Sequence, residues 1–219
     1  MFLKVLFMQD NTSDASLEAL NEIRTIMDRS ARFVSLSGMS GIWAGATAIG
    51  GAIIAHNWLQ KPEFSYIGQA TVAAPEYFDF FTIKLMLLGL GVFMVAFAGA
   101  FYFTYKKAKK HNQTLYTNAS KQLILSLFYP LFAGGVFCVN FIYNGCGMFV
   151  GPACLVFYGL ALISGSRHTL SDIRYLGMLE VALGCCSLFL PGYGLYFWAI
   201  GFGILHILYG AMMWNKYDK

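Results

Sequence analysis

Apolar residues fall along this chain in long unbroken runs separated by short polar stretches. They show neither the period-two alternation of half-buried strands nor the single apolar stripe of soluble helices. Six runs read as membrane-crossing helices, at roughly 33–58, 80–105, 121–143, 148–165, 173–190 and 193–214. A crossing helix needs about 20 mostly apolar residues to traverse about 30 Å of hydrocarbon. Runs three and four are joined by Asn144-Gly145-Cys146-Gly147, and runs five and six by Pro191-Gly192-Tyr193-Gly194. Both joints read as tight turns in which glycine supplies unusual backbone angles. The pattern predicts an all-α polytopic membrane protein, a compact six-transmembrane-helix bundle made of three helical hairpins. Continuous apolar runs argue against a transmembrane β-barrel, whose strands alternate.

A different pattern precedes the first run. Leu17, Leu20, Ile23 and Met27 recur at helical spacing, and Ser13 or Asp14 is placed to cap the helix. Arg24/Asp28 and Asp28/Arg32 are i, i+4 ion pairs. Residues 14–31 are therefore expected to form an amphipathic helix along the inner interface or a docking surface for a cytoplasmic partner. This divides the chain into a cytoplasmic segment, 1–31, and a transmembrane domain, 32–219. Residues 1–7 have too short an apolar run, and no small-residue cleavage site, for a signal peptide; Met8 is an alternative start.

Charge fixes the expected orientation, because cytoplasmic loops collect lysine and arginine. With the N-terminus inside, thirteen of the fifteen Lys and Arg residues lie on the inner side, the exceptions being Lys61 and Lys84. Six crossings return the C-terminus to the cytoplasm.

Composition agrees. The 219 residues are 58% hydrophobic and 12% charged, with a mean hydropathy of +0.58. Too few charges remain to cover a soluble domain, which is nearer one quarter charged. An aromatic content of 17% excludes disorder, and five cysteines lack the density of a disulfide scaffold.

Run two aligns without gaps on run six, placing Gly89 on Gly201 and Tyr105 on Tyr217. Run one aligns on run five, placing Gly41 on Glu180 and Gly45 on Gly184, and run three places Pro130 at the same level. The hairpins read as variants of one unit. Ser37, Gly41 and Gly45 form a small-xxx-small ridge, which packs helix on helix or leaves a groove for a ligand.

Polar groups within the hydrocarbon are costly and each needs a reason. Glu180 in run five and His206 in run six each lie thirteen residues from Tyr193. Antiparallel helices rising 1.5 Å per residue place both about 20 Å below the outer turn. The pair is a candidate proton or ligand site, since imidazole titrates near neutral pH, or a lock for the hairpin. Pro130 would kink its helix; with Gly41 and Glu180 at one depth it would open a cavity. Lys84 either snorkels to the outer interface or guards an outer cavity with Asp79. Lys106, Lys107, Lys109 and Lys110 form a juxtamembrane cluster that, with Arg174, suits anionic lipid. The outer loop 59–79, with Phe64, Tyr66, Tyr77 and Phe78, reads as an interfacial belt or a lid.

No phosphate loop, H-E-x-x-H or G-x-S-x-G motif is present. Neither a metal nor another cofactor is expected: the histidines do not pair at one depth, no C-x-x-C occurs, and Cys138, Cys154, Cys185 and Cys186 read as small apolar residues. Nucleic acid is a poor match to lysines in a short membrane loop.

Thr169-Leu170-Ser171-Asp172-Ile173-Arg174-Tyr175-Leu176-Gly177, then Glu180, Gly192-Tyr193-Gly194-Leu195-Tyr196-Phe197-Trp198-Ala199 and Leu205-His206-Ile207 together resemble a family of bacterial six-span inner-membrane proteins with no assigned activity. Arg32-Phe33-Val34-Ser35-Leu36-Ser37-Gly38 is similar to the same group. The resemblance covers most of the chain and implies a bacterial inner membrane, but supplies no catalytic residue. The sequence predicts a non-catalytic accessory, scaffold or sensor protein that binds a membrane or cytoplasmic partner or anionic lipid. The alternatives are a small transporter or channel for protons, ions or a small amphiphile built on Glu180 and His206, and an intramembrane enzyme acting on lipid-like substrates.

Overall fold

The computed structural model describes residues 37–60, 80–110 and 116–217. The expected amphipathic helix at 14–31, Asp79 and nearly all of the outer loop lie outside the described residues. Among the described residues the chain is helical, with no strand. The helices are α1 (Gly38–Leu59), α2 (Phe80–Lys110), α3 (Asn118–Tyr143), α4 (Val150–Gly165), α5 (Ile173–Leu188) and α6 (Gly194–Tyr217). A single 3₁₀ turn, Gly147–Phe149, leads into α4. Helix α6 is interrupted by a π-helical segment, Ala199–Leu205.

Local chemistry sets the helix ends. Thr117 caps α3 through a capping box: its hydroxyl accepts from the Ser120 N–H at 3.2 Å, and the Ser120 hydroxyl accepts from the Thr117 N–H at 2.8 Å. Helix α3 stops at Gly145, whose φ of 69° is the left-handed conformation that glycine adopts without penalty. There the Cys146 N–H reaches back to the Phe141 carbonyl and the Gly145 N–H to Ile142, the paired bonds of a Schellman end. Between α5 and α6, Leu190-Pro191-Gly192-Tyr193 makes a type II turn, with Gly192 at φ 94° and the Tyr193 N–H bonded to the Leu190 carbonyl. Lys107, Lys109 and Lys110 fall in the last turn of α2, favourable for the helix dipole.

Five helical stretches are long and apolar enough to cross a membrane: Gly38–Leu59, Thr82–Lys110, Asn118–Tyr143, Gly147–Gly165 and Gly194–Tyr217. Helix α5 has 16 residues, a length of about 24 Å. It is shorter than the run 173–190 expected to span, because Phe189 and Leu190 enter the turn.

Packing follows the glycines more than chain order. Helix α1 lies between α2 and α6, α6 between α1 and α4, and α4 against α3 and α5. The α1/α2 and α3/α4 hairpins pair as expected. The last hairpin is looser: α5 packs mainly on α4, and α6 mainly on α1. A Cβ on Gly159 would sit 2.6 Å from the Gly177 carbonyl oxygen, and one on Gly177 would sit 2.7 Å from the Gly159 carbonyl oxygen, so α4 and α5 touch backbone to backbone. At the α1/α6 seam, a Cβ on Gly45 would be 2.5 Å from the Gly203 carbonyl, and one on Gly210 would be 2.7 Å from the Gly38 carbonyl. The ridge on α1 is thus filled by the backbone of α6 and leaves no ligand groove.

Helices α2 and α3 occupy the two flanks, each packed chiefly on one neighbour. Phe93, Phe97 and Phe101 on α2, and Phe128, Phe132 and Val136 on α3, are exposed. Apolar surface on this scale belongs against lipid.

Candidate functional site

Three helices bring polar side chains to one point inside the bundle: Tyr158 from α4, Glu180 from α5 and His206 from α6. Glu180 Oε1 lies 3.4 Å from His206 Nδ1. Nδ1 is also 3.0 Å from the Gly201 carbonyl oxygen. A carbonyl can only accept, so in the neutral ring Nδ1 carries the proton and donates it to Gly201. The remaining nitrogen, Nε2, then accepts from the Tyr158 hydroxyl at 2.8 Å. Tyr158, Phe202 and the imidazole form a three-ring cluster, with Tyr158 and Phe202 centroids 4.9 Å apart and 5.4 and 5.9 Å from the His206 ring.

The π segment explains the Gly201 contact. Its i→i+5 winding returns residue 206 over residue 201, and such segments recur at functional sites. Gly201 has a second role. A Cβ there would collide with Glu180 Oε2 and lie 2.5 Å from Leu155 Cδ2. Absence of a side chain at 201 makes the space that the carboxyl fills.

With both imidazole nitrogens engaged elsewhere, Glu180 is left over. Its side chain is 0% exposed, and neither carboxyl oxygen makes a hydrogen bond. Leaving a buried polar group without a partner costs about 1–3 kcal/mol, and more when it is charged. The acid–imidazole pair is therefore not the hydrogen-bonded lock that one reading of the sequence expected.

The structure unites Glu180 with His206 but does not gather the other two residues placed at their depth. Gly41 faces the backbone of α6, its Cβ position 3.0 Å from Gly210 Cα and 3.2 Å from the His206 carbonyl oxygen. Pro130 lies on α3, which packs against α4. Leu155 Cδ2 and Glu180 Oε2 both crowd the Cβ position of Gly201, and Gly41 lies in the α1/α6 seam. Lys84 sits with its Nζ 4.1 Å from the Trp58 ring centroid, a cation–π contact between α2 and α1. Arg174 is exposed on the first turn of α5, and Lys106, Lys107, Lys109 and Lys110 occupy the end of α2. Among the described residues no three His, Cys, Asp or Glu side chains converge as metal ligands. Cys138 and Cys154 face each other across α3 and α4, Sγ to Sγ 3.7 Å.

Sequence reasoning did not single out Tyr158, Leu155 or the role of Gly201. A tyrosine in an apolar run looks like a core or belt residue, and nothing local marks its partner 48 positions away. The paired glycines at 201 and 203 were the one available signal, and they were read as evidence of repetition. No protein family matches the chain, and neither does any curated protein or solved structure.

Proposed function

We propose that this chain is a bacterial inner-membrane protein that crosses the bilayer six times, with both termini in the cytoplasm, and that it carries protons by way of Glu180 and His206. The observation that carries the reading is the unpartnered carboxyl of Glu180, enclosed beside an imidazole whose nitrogens bond elsewhere. A purely structural acid would gain by a hydrogen bond, and this one has none. Intramembrane acids and histidines mark proton relays because each holds and releases a proton without leaving its place. Thirteen of fifteen Lys and Arg residues on one side support the orientation. Lys106, Lys107, Lys109, Lys110 and Arg174 are positioned to bind anionic headgroups on that side, worth about 1 kcal/mol per charge.

A second reading, an accessory, scaffold or sensor protein that binds a partner in the membrane or cytoplasm, is favoured by the backbone-to-backbone seams at Gly159/Gly177 and Gly38/Gly210. Such seams make a rigid body suited to presenting a surface. The two are separated by reconstituting the protein in liposomes with a pH-sensitive dye and a potassium diffusion potential. Carriage predicts proton flux above empty liposomes, abolished by Glu180→Gln. Flux equal to empty liposomes leaves the accessory reading, and flux unchanged by the substitution removes Glu180 from the mechanism.

A further inference from the structure

Two cysteines meet where α3 and α4 run side by side. Cys138 of α3 and Cys154 of α4 hold their sulfurs 3.7 Å apart. Cys138 Sγ also lies 4.0 Å from the carbonyl oxygen of Val150, one turn before Cys154 on α4. Both are free thiols, and both are partly exposed. Their depths match as well. Cys138 is seven residues before Gly145, and Cys154 is seven residues after Gly147. Each therefore lies about 10 Å from the turn that joins the two helices, within the apolar length of both spans.

The helices are close enough at this level for a bond. A disulfide holds its sulfurs about 2.05 Å apart and its Cα atoms about 5.5–6 Å apart, so each sulfur would move by about 0.8 Å. One turn from Cys138 on the same face of α3, a Cβ on Gly134 would lie 2.5 Å from Phe157 Cβ of α4. The two helices are thus pressed together beside the pair. The buried residues of α3 are Ala119, Ser120, Leu123 and Gly134, with none beyond Gly134. The end of α3 that carries Cys138 is held by less packing than the end that carries Leu123, and Cys138 is placed where a covalent tie would hold it.

We propose that Cys138 and Cys154 form a dithiol that a quinone dissolved in the lipid oxidises to a disulfide, tying the Asn144–Gly147 end of α3 to α4. The inference is separate from proton carriage and requires only that α3 and α4 cross the membrane. The setting selects the oxidant. A water-soluble disulfide would have to carry polar groups about 10 Å into hydrocarbon, where nothing satisfies them. A quinone is apolar and travels in that layer. It accepts two electrons and two protons, which is what two thiols release when they join. Phe137 and Phe157, with ring centroids 5.1 Å apart across the same seam, give it an aromatic surface beside the sulfurs. The step balances: two S–H bonds break, one S–S bond forms, and the two electrons and two protons convert the quinone oxygens to quinol hydroxyls.

The test uses the full chain carrying Cys146→Ala, Cys185→Ala and Cys186→Ala, reduced and then reconstituted without oxygen in liposomes containing a short-chain ubiquinone. Absorbance should show one quinol formed per chain. Mass spectrometry of the unreduced digest should show α3 and α4 peptides joined through Cys138 and Cys154. Glutathione disulfide at the same concentration should form that link at least about tenfold more slowly, because access limits thiol–disulfide exchange. The natural protein, treated with the quinone and mapped in the same way, should show this pairing and no other. Absence of the link after quinone treatment, a link formed as fast by glutathione disulfide, or pairing through Cys146, Cys185 or Cys186 in the natural protein would overturn the proposal. None of these readouts depends on proton flux.

Discussion

Gly201 of α6 stands so close to Glu180 of α5 that a methyl group on the glycine would overlap carboxyl oxygen Oε2. The same glycine presents its carbonyl to His206 Nδ1 at 3.0 Å. One residue without a side chain therefore sets both the space for the acid and the tautomer of the base.

Gly201→Ala should accordingly destabilise the protein by about 1–3 kcal/mol, the usual cost of forcing extra volume into a packed site. Gly89, its counterpart in the apparent repeat, has nothing within 4 Å of its Cβ position. Gly89→Ala should be neutral or stabilising by up to about 1 kcal/mol, through helix propensity alone. Thermal unfolding of both variants in one detergent checks the pair. Equal losses would mean that the two positions are equivalent, as the repeat implies.

Tyr158→Phe removes the donor to His206 Nε2 and leaves that nitrogen buried without a partner, at a cost of about 1–3 kcal/mol. Nitrogen-15 NMR of labelled histidine should show His206 in the Nδ1–H form in the natural protein. An Nε2–H signal at neutral pH would contradict the hydrogen-bond arrangement.

The α1/α6 seam makes its own prediction. A Cβ on Gly210 would lie 2.5 Å from the Ile42 backbone nitrogen, whereas Gly50 has open space around its Cβ position. Gly210→Ala should force the two helices apart and lower stability by about 1–3 kcal/mol, while Gly50→Ala should not. Chemical denaturation in mixed micelles measures the difference.

Lys84→Met should lose the contact with Trp58, worth about 0.5–2 kcal/mol. The quenching of Trp58 fluorescence by polar solvent should change with it, read in a background in which the other three tryptophans are phenylalanine.

Much of this architecture was legible from hydropathy because a bilayer imposes one length and one polarity on everything that crosses it. The turn at Asn144–Gly147 and the one at Pro191–Gly194 were readable from glycine and proline, whose backbone limits are local. The equal depth of Glu180 and His206 followed from counting residues to a turn. What could not be counted was rotation. Whether two side chains at one depth face each other depends on which helices touch, and here reciprocal glycines decide that, at Gly159/Gly177 and Gly45/Gly203. Equivalent positions in a repeat share a depth without sharing a neighbour: Gly41 meets the backbone of α6, and Pro130 lies within α3. The π segment stayed hidden, since Ala199–Leu205 carries no residue type that requires it.

Glu180 is inside the hydrocarbon only if α5 crosses it, and α5 has just 16 residues, as few as α4 without its leading 3₁₀ turn. Single cysteines placed at Ser171 and Gly192, in a cysteine-free background, bracket that helix. With a membrane-impermeant thiol reagent on intact cells, position 192 should label at once and position 171 only after permeabilisation. Labelling of both positions from one side would show that α5 does not cross, and would remove Glu180 from the membrane interior.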